Sequence, residues 1–171
     1  MRILSFLTVW LTSMAVFCSQ AVAQGYQPNV DTSNIASYAD YKHYEEQAYK
    51  LYQERSNGFY KKGQLEIGRH YTEYSERRQV ALEELRSTDR TNYLEWLDAR
   101  AIGDHPRETR LETTVPALIL FKQKDTGAFE IFSAKKKSIT EDWSKKNTDM
   151  FIVYQEEKRL LWSAYQALPK K

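Results

Sequence analysis

The stretch VPALILFKQKDTGAFEIFS, residues 115–133, decides the fold class that we predict for this chain. Two apolar runs, Ala117 to Phe121 and Ala128 to Phe132, lie on either side of a polar segment that ends in Gly127. Short apolar runs around a glycine-containing turn are typical of two antiparallel strands. The pattern therefore predicts a β-hairpin at about 117–133.

The register of this hairpin follows if Asp125-Thr126-Gly127 forms the loop and the glycine adopts the left-handed backbone conformation. Lys122 then lies opposite Glu130, next to two apolar cross-strand pairs. Each such pair contributes roughly 0.2 to 1 kcal/mol. Because an isolated hairpin is marginal in water, we expect helices to cover it.

Two amphipathic helices are predicted before the hairpin. From Asp31 to Asn57, tyrosine and apolar side chains recur every three or four residues, and Asn57-Gly58 is expected to end the first helix. A second helix follows Gly63, and its apolar stripe runs from Ile67 to Leu85. Since the connection is short, the two helices are expected to pack as an antiparallel helical hairpin.

A third helix is predicted between a capping signal, Ser87-Thr88-Asp89, and Ala101. Gly103 and Pro106 follow its last turn, as is usual at a helix C-terminus. Residues 107–114 are charged and β-branched, so they are expected to form a connector or the start of the first strand.

The C-terminal region is predicted to be mainly helical. Thr140 to Asn147 can form a short helix. Met150 to Tyr154 fits either a third strand or the start of a helix that continues to Leu168, and we prefer the helix. The complete prediction is one α+β domain over 31–171, with a helical part at 31–103, a β-hairpin at 115–133 and a C-terminal helical part at 139–168 packed on the hairpin.

The N-terminus has the pattern of a secretory signal peptide. Arg2 precedes an apolar run from Ile3 to Phe17, and Ala21-Val22-Ala23 is a small-residue cleavage site. We predict a signal peptide at 1–23 and a flexible leader at 24–30. The apolar run is shorter than the roughly 20 residues that cross a bilayer. The protein is therefore expected to be periplasmic or extracellular, with no stable membrane insertion after cleavage.

Cysteine content and charge argue against several classes of function. Cleavage would remove Cys18, the single cysteine, so we expect no disulfide, thiol nucleophile or thiolate ligand. The formal net charge of +2 is close to balance, so nucleic acid is not an expected partner. The sequence has no glycine-rich phosphate loop and no nucleophile motif. We therefore predict no cofactor and favour a binding protein over an enzyme.

Tyrosine is the unusual feature of the composition, with 12 residues. Its ring and hydroxyl group suit protein interfaces and surfaces that stack on sugars. Tyr49 and Tyr60 fit the predicted buried stripes least well, so they are candidates for exposed binding contacts. Trp96, Trp143 and Trp162 are candidates for the lining of an aromatic pocket between the sheet and the helices.

Glu66, His70 and Glu73 are the candidate metal ligands or acid-base residues, because they lie at i, i+4 and i+7 on the predicted second helix. The same spacing is typical of a solvated helix edge. Metal and catalytic sites usually draw ligands from several elements, so the solvated edge is the preferred interpretation.

The stretch from Phe59 to Gly68, followed by Tyr71, resembles the turn of a tetratricopeptide repeat. No copy recurs at a period of about 34 residues, and a solenoid needs roughly three repeats. The resemblance is therefore interpreted as a sign of a helical hairpin and implies no function.

Three functional hypotheses follow, in order of preference. The first is an exported, non-enzymatic module that binds another envelope or extracellular protein through a tyrosine-rich helical surface. The second is a small-ligand or glycan-binding protein with an aromatic pocket. The third is a metal-dependent hydrolase that uses the glutamate and histidine residues named above.

Overall fold

A computed structural model describes residues 27–169 of the 171-residue chain. Helices make up 87% of the described residues, and no strand occurs among them. The helices are α1 (Tyr38–Thr88), α2 (Arg90–Ala101), α3 (His105–Thr114) and α4 (Pro116–Gln166). The fold is a helical bundle, so the predicted α+β class is wrong. The predicted signal peptide at 1–23, with Cys18, lies outside the described residues.

The predicted β-hairpin at 117–133 belongs to α4. Val115 has an extended backbone, with φ −90° and ψ 114°, as expected before a proline. Pro116 then opens the helix, where its missing N–H group costs nothing. Gly127 is an interior helical residue without a positive φ, so the turn that defined the hairpin does not form.

The predicted helical hairpin near Asn57-Gly58 is also wrong, because α1 continues without a break from Tyr38 to Thr88. The tetratricopeptide-like stretch is therefore part of a helix interior and contains no turn. A glycine inside a helix costs roughly 0.5–1 kcal/mol relative to alanine, a small penalty that the packing of a 51-residue helix can outweigh.

The predicted third helix is α2, and it begins and ends where the capping signals indicate. The Asp89 side chain accepts a hydrogen bond from the Asn92 N–H. Gly103 has a φ of 73°, and the Asp104 N–H donates to the Ala99 carbonyl at 2.8 Å, which completes a Schellman motif.

Residues 107–114, predicted to be a connector or strand, lie in α3. Asp104 caps this helix, and its carboxylate accepts from the Arg107 N–H at 3.1 Å. Pro106 lies in the first turn of α3, so it starts a helix as well as following one. Met150 to Tyr154, for which we preferred a helix over a third strand, is helical and lies inside α4.

The chain divides into two compact units. The described part of unit 1 contains residues 27–62 and 141–169, in which segments of α1 and α4 pack antiparallel. Its buried cluster contains Ile35, Tyr41 and Leu161. Val30, from the predicted leader, packs against this cluster, and the Asn29 N–H donates to the Glu157 carboxylate at 2.8 Å.

Unit 2 is Gly63–Thr140 and contains the remaining parts of α1 and α4 together with α2 and α3. Its core is the cluster of Ala81, Leu85, Trp96, Ala99, Leu111, Leu118 and Phe121. The two short helices supply three of these side chains. None of the helices in the described part of the chain is long and apolar enough to cross a membrane.

Candidate functional site

Aromatic side chains recur along α1 every 11 residues. An outer series contains Tyr38, Tyr49, Tyr60 and Tyr71. An inner series three residues further on contains Tyr41, Tyr52 and Tyr74, with Gly63 at the position between the last two. Eleven residues make almost exactly three helical turns, so the members of one series share one face of the helix.

The same period occurs along α4. Its inner series contains Phe121, Phe132, Trp143, Tyr154 and Tyr165. Its outer series contains Phe129, Phe151 and Trp162, with Thr140 at the position between the first two. This repeat is visible in the sequence, but its period is much shorter than the periods of 20–50 residues that mark solenoids.

In unit 1, rings of α1 contact rings of α4 in several separate aromatic sets. The Tyr41 and Trp162 ring centroids lie 5.1 Å apart with an edge-on geometry. Eleven residues along α1, Tyr52 meets Phe151 at 5.8 Å, and a further contact joins Tyr49 and Tyr154 at 5.4 Å. Inner rings of one helix thus pack against outer rings of the other.

Polar pairs lie between the aromatic sets of unit 1. The Lys158 ammonium contacts the Glu45 carboxylate at 2.7 Å. Eleven residues further along α1, the Ser56 hydroxyl donates to the Asn147 side-chain oxygen at 2.6 Å. The Tyr52 hydroxyl donates to the same oxygen at 3.3 Å. These pairs fix which residues of α1 and α4 lie level with each other.

Glu45 is paired with two lysines, since Lys42 also contacts its carboxylate at 2.7 Å. Burial raises the pKa of Glu45, but hydrogen bonds and charge from Lys158 and Lys42 outweigh this and hold the pKa below its usual range. Glu45 in turn raises the pKa of Lys158.

We expect Glu45→Gln to lower the free energy of unfolding by about 1–2 kcal/mol at pH 7, the contribution of a charged hydrogen bond. A carboxyl group with a lowered pKa stabilises the fold above the unfolded-state pKa, near 4.5, and loses this effect as the pH falls through the folded-state value. The difference from wild type should therefore become smaller as the pH falls from 7 to 3. Urea denaturation at both pH values measures it.

The matched control is Glu46→Gln, which changes the adjacent exposed glutamate. It should stay within about 0.5 kcal/mol of wild type at both pH values. An equal loss in the two variants would show that the buried ion pair is not the cause.

Unit 2 contains a further aromatic set. Tyr74 lies 5.8 Å from Phe129 and 5.9 Å from Phe132, and Tyr71 lies 5.7 Å from Phe132. The Tyr74 hydroxyl donates to Asp125 at 3.1 Å. Burial and this carboxylate both raise the pKa of the Tyr74 phenol. The ring packing and polar contact of unit 1 thus have a counterpart within unit 2.

Exposure separates the two series on each helix. Tyr38, Tyr49, Tyr60 and Tyr71, the outer series of α1, are 51, 44, 48 and 56% exposed. On α4, the outer residues Phe129, Phe151 and Trp162 are 50, 44 and 39% exposed. The inner residues are buried or half-buried. Because inner rings contact outer rings of the opposite helix, the outer rings of both helices emerge on the same side within each unit.

The predicted binding residues have different surroundings. Tyr49, Tyr60 and Trp162 are outer rings that reach solvent. Trp143 is half-buried against Tyr60 at 5.5 Å. Trp96 is 2% exposed in the core of unit 2, where its Nε1–H donates to Glu112 at 2.9 Å. Since the described residues contain no sheet, the predicted pocket between sheet and helices is not formed.

The predicted metal candidates lie in unit 2. The His70 Nδ1 atom is 3.0 Å from the Glu73 carboxylate, and Lys135 of α4 lies 3.3 Å from both groups. His70 and Lys135 lower the pKa of Glu73. Glu66 is exposed. Within residues 27–169, no group of three or more His, Cys, Asp or Glu side chains could hold a metal ion.

Exposed, uncharged side chains lie beside the outer rings of unit 1, with the exposed residues Lys50 and Lys145 at their edges. We call this surface the side patch, and it contains Tyr49, Gln53, Asn57, Tyr60, Ser144, Thr148, Phe151 and Gln155. Its α1 members follow one another at intervals of four, four and three residues, and its α4 members at intervals of four, three and four, so each set lies on one helical face.

Comparisons of the chain with protein-family models, with curated proteins and with solved structures found no match. The functional interpretation therefore depends on the geometry described above.

Proposed function

We propose that the protein is an exported, non-enzymatic binding protein whose side patch docks another protein. The observation that carries the proposal is the combination of half-exposed aromatic rings with exposed amide and hydroxyl side chains on both helices. The centres of protein interfaces are rich in aromatic residues and poor in charged ones. Tyrosine with serine and asparagine is also the chemistry by which antibody loops bind proteins.

The packing of the rings supports this proposal. Tyr49 and Phe151 are held by the inner rings Tyr154 and Tyr52, so they lose little side-chain freedom when a partner covers them. Pre-ordering of exposed side chains lowers the entropic cost of association. Aromatic side chains held in this way are typical binding hot spots.

A photo-crosslinking residue at position 53 tests the proposal in cells that export the protein. Gln53 lies in the side patch, and Gln47 is an exposed glutamine of the same helix, about 120° away around its axis. We expect a protein adduct at position 53 that Tyr49→Ala and Phe151→Ala weaken, and no such adduct at position 47. Equal adducts at both positions, or none at position 53, would contradict the proposal.

Glycan binding is the second candidate, and the exposed rings of unit 1 favour it because aromatic faces stack on sugars. Trp162 is 39% exposed and reports on this surface. A change in its fluorescence during titration with neutral oligosaccharides, absent in Trp162→Phe, would support the candidate. Unchanged fluorescence across the series would remove it.

A further inference from the structure

We propose that unit 1 binds the free amino terminus of another protein, at a site that residues 29–35 of this chain occupy when no partner is bound. We call residues 29–35 the strap. The site shares no residue with the side patch, so this inference does not depend on the proposed function. A buried carboxylate and the apolar contacts of the strap carry it.

The strap lies outside the helices and is held by two apolar side chains. Ile35 is 6% exposed and belongs to the buried cluster of unit 1. Val30, five positions earlier, packs against the same cluster. The surface that receives them comes from both helices and from the residues after α4: Tyr41, Tyr44, Leu161, Ala164, Tyr165 and Leu168. A chain segment with the same two apolar positions can therefore occupy this surface.

The strap also contacts a buried carboxylate of α4. Glu157 is 4% exposed, and its Oε1 atom accepts a hydrogen bond from the Asn29 N–H at 2.8 Å. Within residues 27–169, no lysine, arginine or histidine forms an ion pair with Glu157. The charged side chains on either side of it pair with other residues: Glu156 with Arg159, and Lys158 with Glu45. Glu157 is therefore a buried carboxylate whose hydrogen-bond donor is one backbone N–H group.

A buried carboxylate without a cation is costly, because one hydrogen bond replaces only part of the hydration that burial removes. An ammonium group at the position of the Asn29 nitrogen would supply an opposite charge as well as a hydrogen bond, which makes the contact stronger. The first residue of a chain carries its ammonium group on the backbone nitrogen, and capture of an amino terminus is a recurring mode of peptide recognition. The site therefore fits a chain that begins at the position of Asn29.

The strap can leave the site while the helices stay formed. Its other hydrogen bonds are internal, as between Asp31 and Ser33. Within the described residues, the Asn29 N–H forms the one hydrogen bond that joins the strap to a helix. Release returns conformational freedom to the strap and water to Glu157, and both changes oppose the burial of the two apolar side chains. A free amino terminus with matching apolar residues can therefore displace the strap.

Fluorescence anisotropy with two synthetic peptides tests the site. Both have the sequence of residues 29–37 and a fluorophore at the carboxyl end, and one has a free amino terminus whereas the other is acetylated. The receptor is the purified protein with Val30→Ser and Ile35→Ser, which weaken the strap and leave the site intact. We expect the free peptide to bind this receptor at least about tenfold more tightly than it binds wild type, where the strap competes. The acetylated peptide should bind the receptor at least about tenfold more weakly than the free one.

Glu157→Gln in the same receptor isolates the effect of the carboxylate. It keeps the size of the side chain and removes the charge, so the two peptides should bind it with dissociation constants within about threefold of each other. Glu156→Gln, at the adjacent half-buried position, is the matched control and should keep the preference for the free peptide. A preference that survives Glu157→Gln, or equal binding of the two peptides to the receptor, would overturn the inference. The absence of any peptide binding would overturn it as well.

Hydrogen exchange of the wild-type protein tests whether the strap detaches. The Asn29 amide should exchange at least about tenfold faster than the Leu161 amide, because local opening exposes the first whereas the second requires unfolding of α4. Far-ultraviolet circular dichroism of the receptor with Val30→Ser and Ile35→Ser should show the helix content of wild type. Equal exchange at the two amides, or a loss of helix in the receptor, would show that the strap is a fixed part of the core and would refute its displacement by a partner.

Discussion

Trp96→Ala should lower the free energy of unfolding by about 3–5 kcal/mol, the usual cost of removing a buried aromatic side chain. Trp96 is 2% exposed, and its ring meets Phe121 edge-on at 5.6 Å. The Arg100 guanidinium lies 5.3 Å above the same ring. The substitution removes this packing and also the donor that binds Glu112. Since domains of this size are stable by 5–15 kcal/mol, the loss is a large part of the total.

Urea denaturation followed by far-ultraviolet circular dichroism measures the effect of Trp96→Ala. Leu94→Ala is a control on the same helix, because Leu94 is 51% exposed, and it should change stability by no more than about 0.5 kcal/mol. Trp96→Phe keeps most of the ring and loses the indole donor, so it should lie between the two. If Trp96→Ala cost no more than Leu94→Ala, the core of unit 2 would be wrongly assigned.

The two ends of α2 were predictable because its capping signals depend only on neighbouring residues. An aspartate that precedes the helix can cap it wherever the helix lies. Gly103 can adopt the left-handed conformation at no steric cost. Both features are encoded within about four residues, and both agree with the structure.

The secondary structure of residues 115–133 could not be predicted from local signals. Ala117 to Phe121 is a short apolar run, and such runs fit a buried strand or a buried helix equally well. Tertiary packing decides between them: Leu118 and Phe121 belong to the buried cluster that also contains Leu85 of α1 and Trp96 of α2. Asp125 and Gly127, which follow this run, indicated a turn, but α4 continues through both residues.

The side patch was partly predictable. Tyr49 and Tyr60 were singled out because they fit the buried stripes poorly, and both are indeed half-exposed. The contribution of Phe151 was not foreseen, because the pairing of distant segments is invisible along the sequence. The 11-residue spacing of the rings was the signal that could have revealed it, since two helices with the same period can pack in register.

Gly127 offers the most direct test of helix against hairpin, because the two structures predict opposite effects of one substitution. In α4, Gly127→Ala should stabilise the protein by about 0.5–1 kcal/mol, since alanine has the higher helix propensity. A Cβ atom at this position meets nothing within 4 Å, so no clash offsets the gain. In a left-handed hairpin turn, the same substitution would destabilise the protein.

Gly127→Pro should cost about 3 kcal/mol or more, because proline in a helix interior removes one hydrogen bond and clashes with the preceding turn. Thermal and urea denaturation of both Gly127 variants measure the two effects. Gly103→Ala is the matched control, since its φ of 73° strains any residue with a Cβ atom, and it should lose about 1 kcal/mol. If Gly127→Ala lost as much stability as Gly103→Ala, Gly127 would lie in a left-handed turn and residues 115–133 would form the hairpin after all.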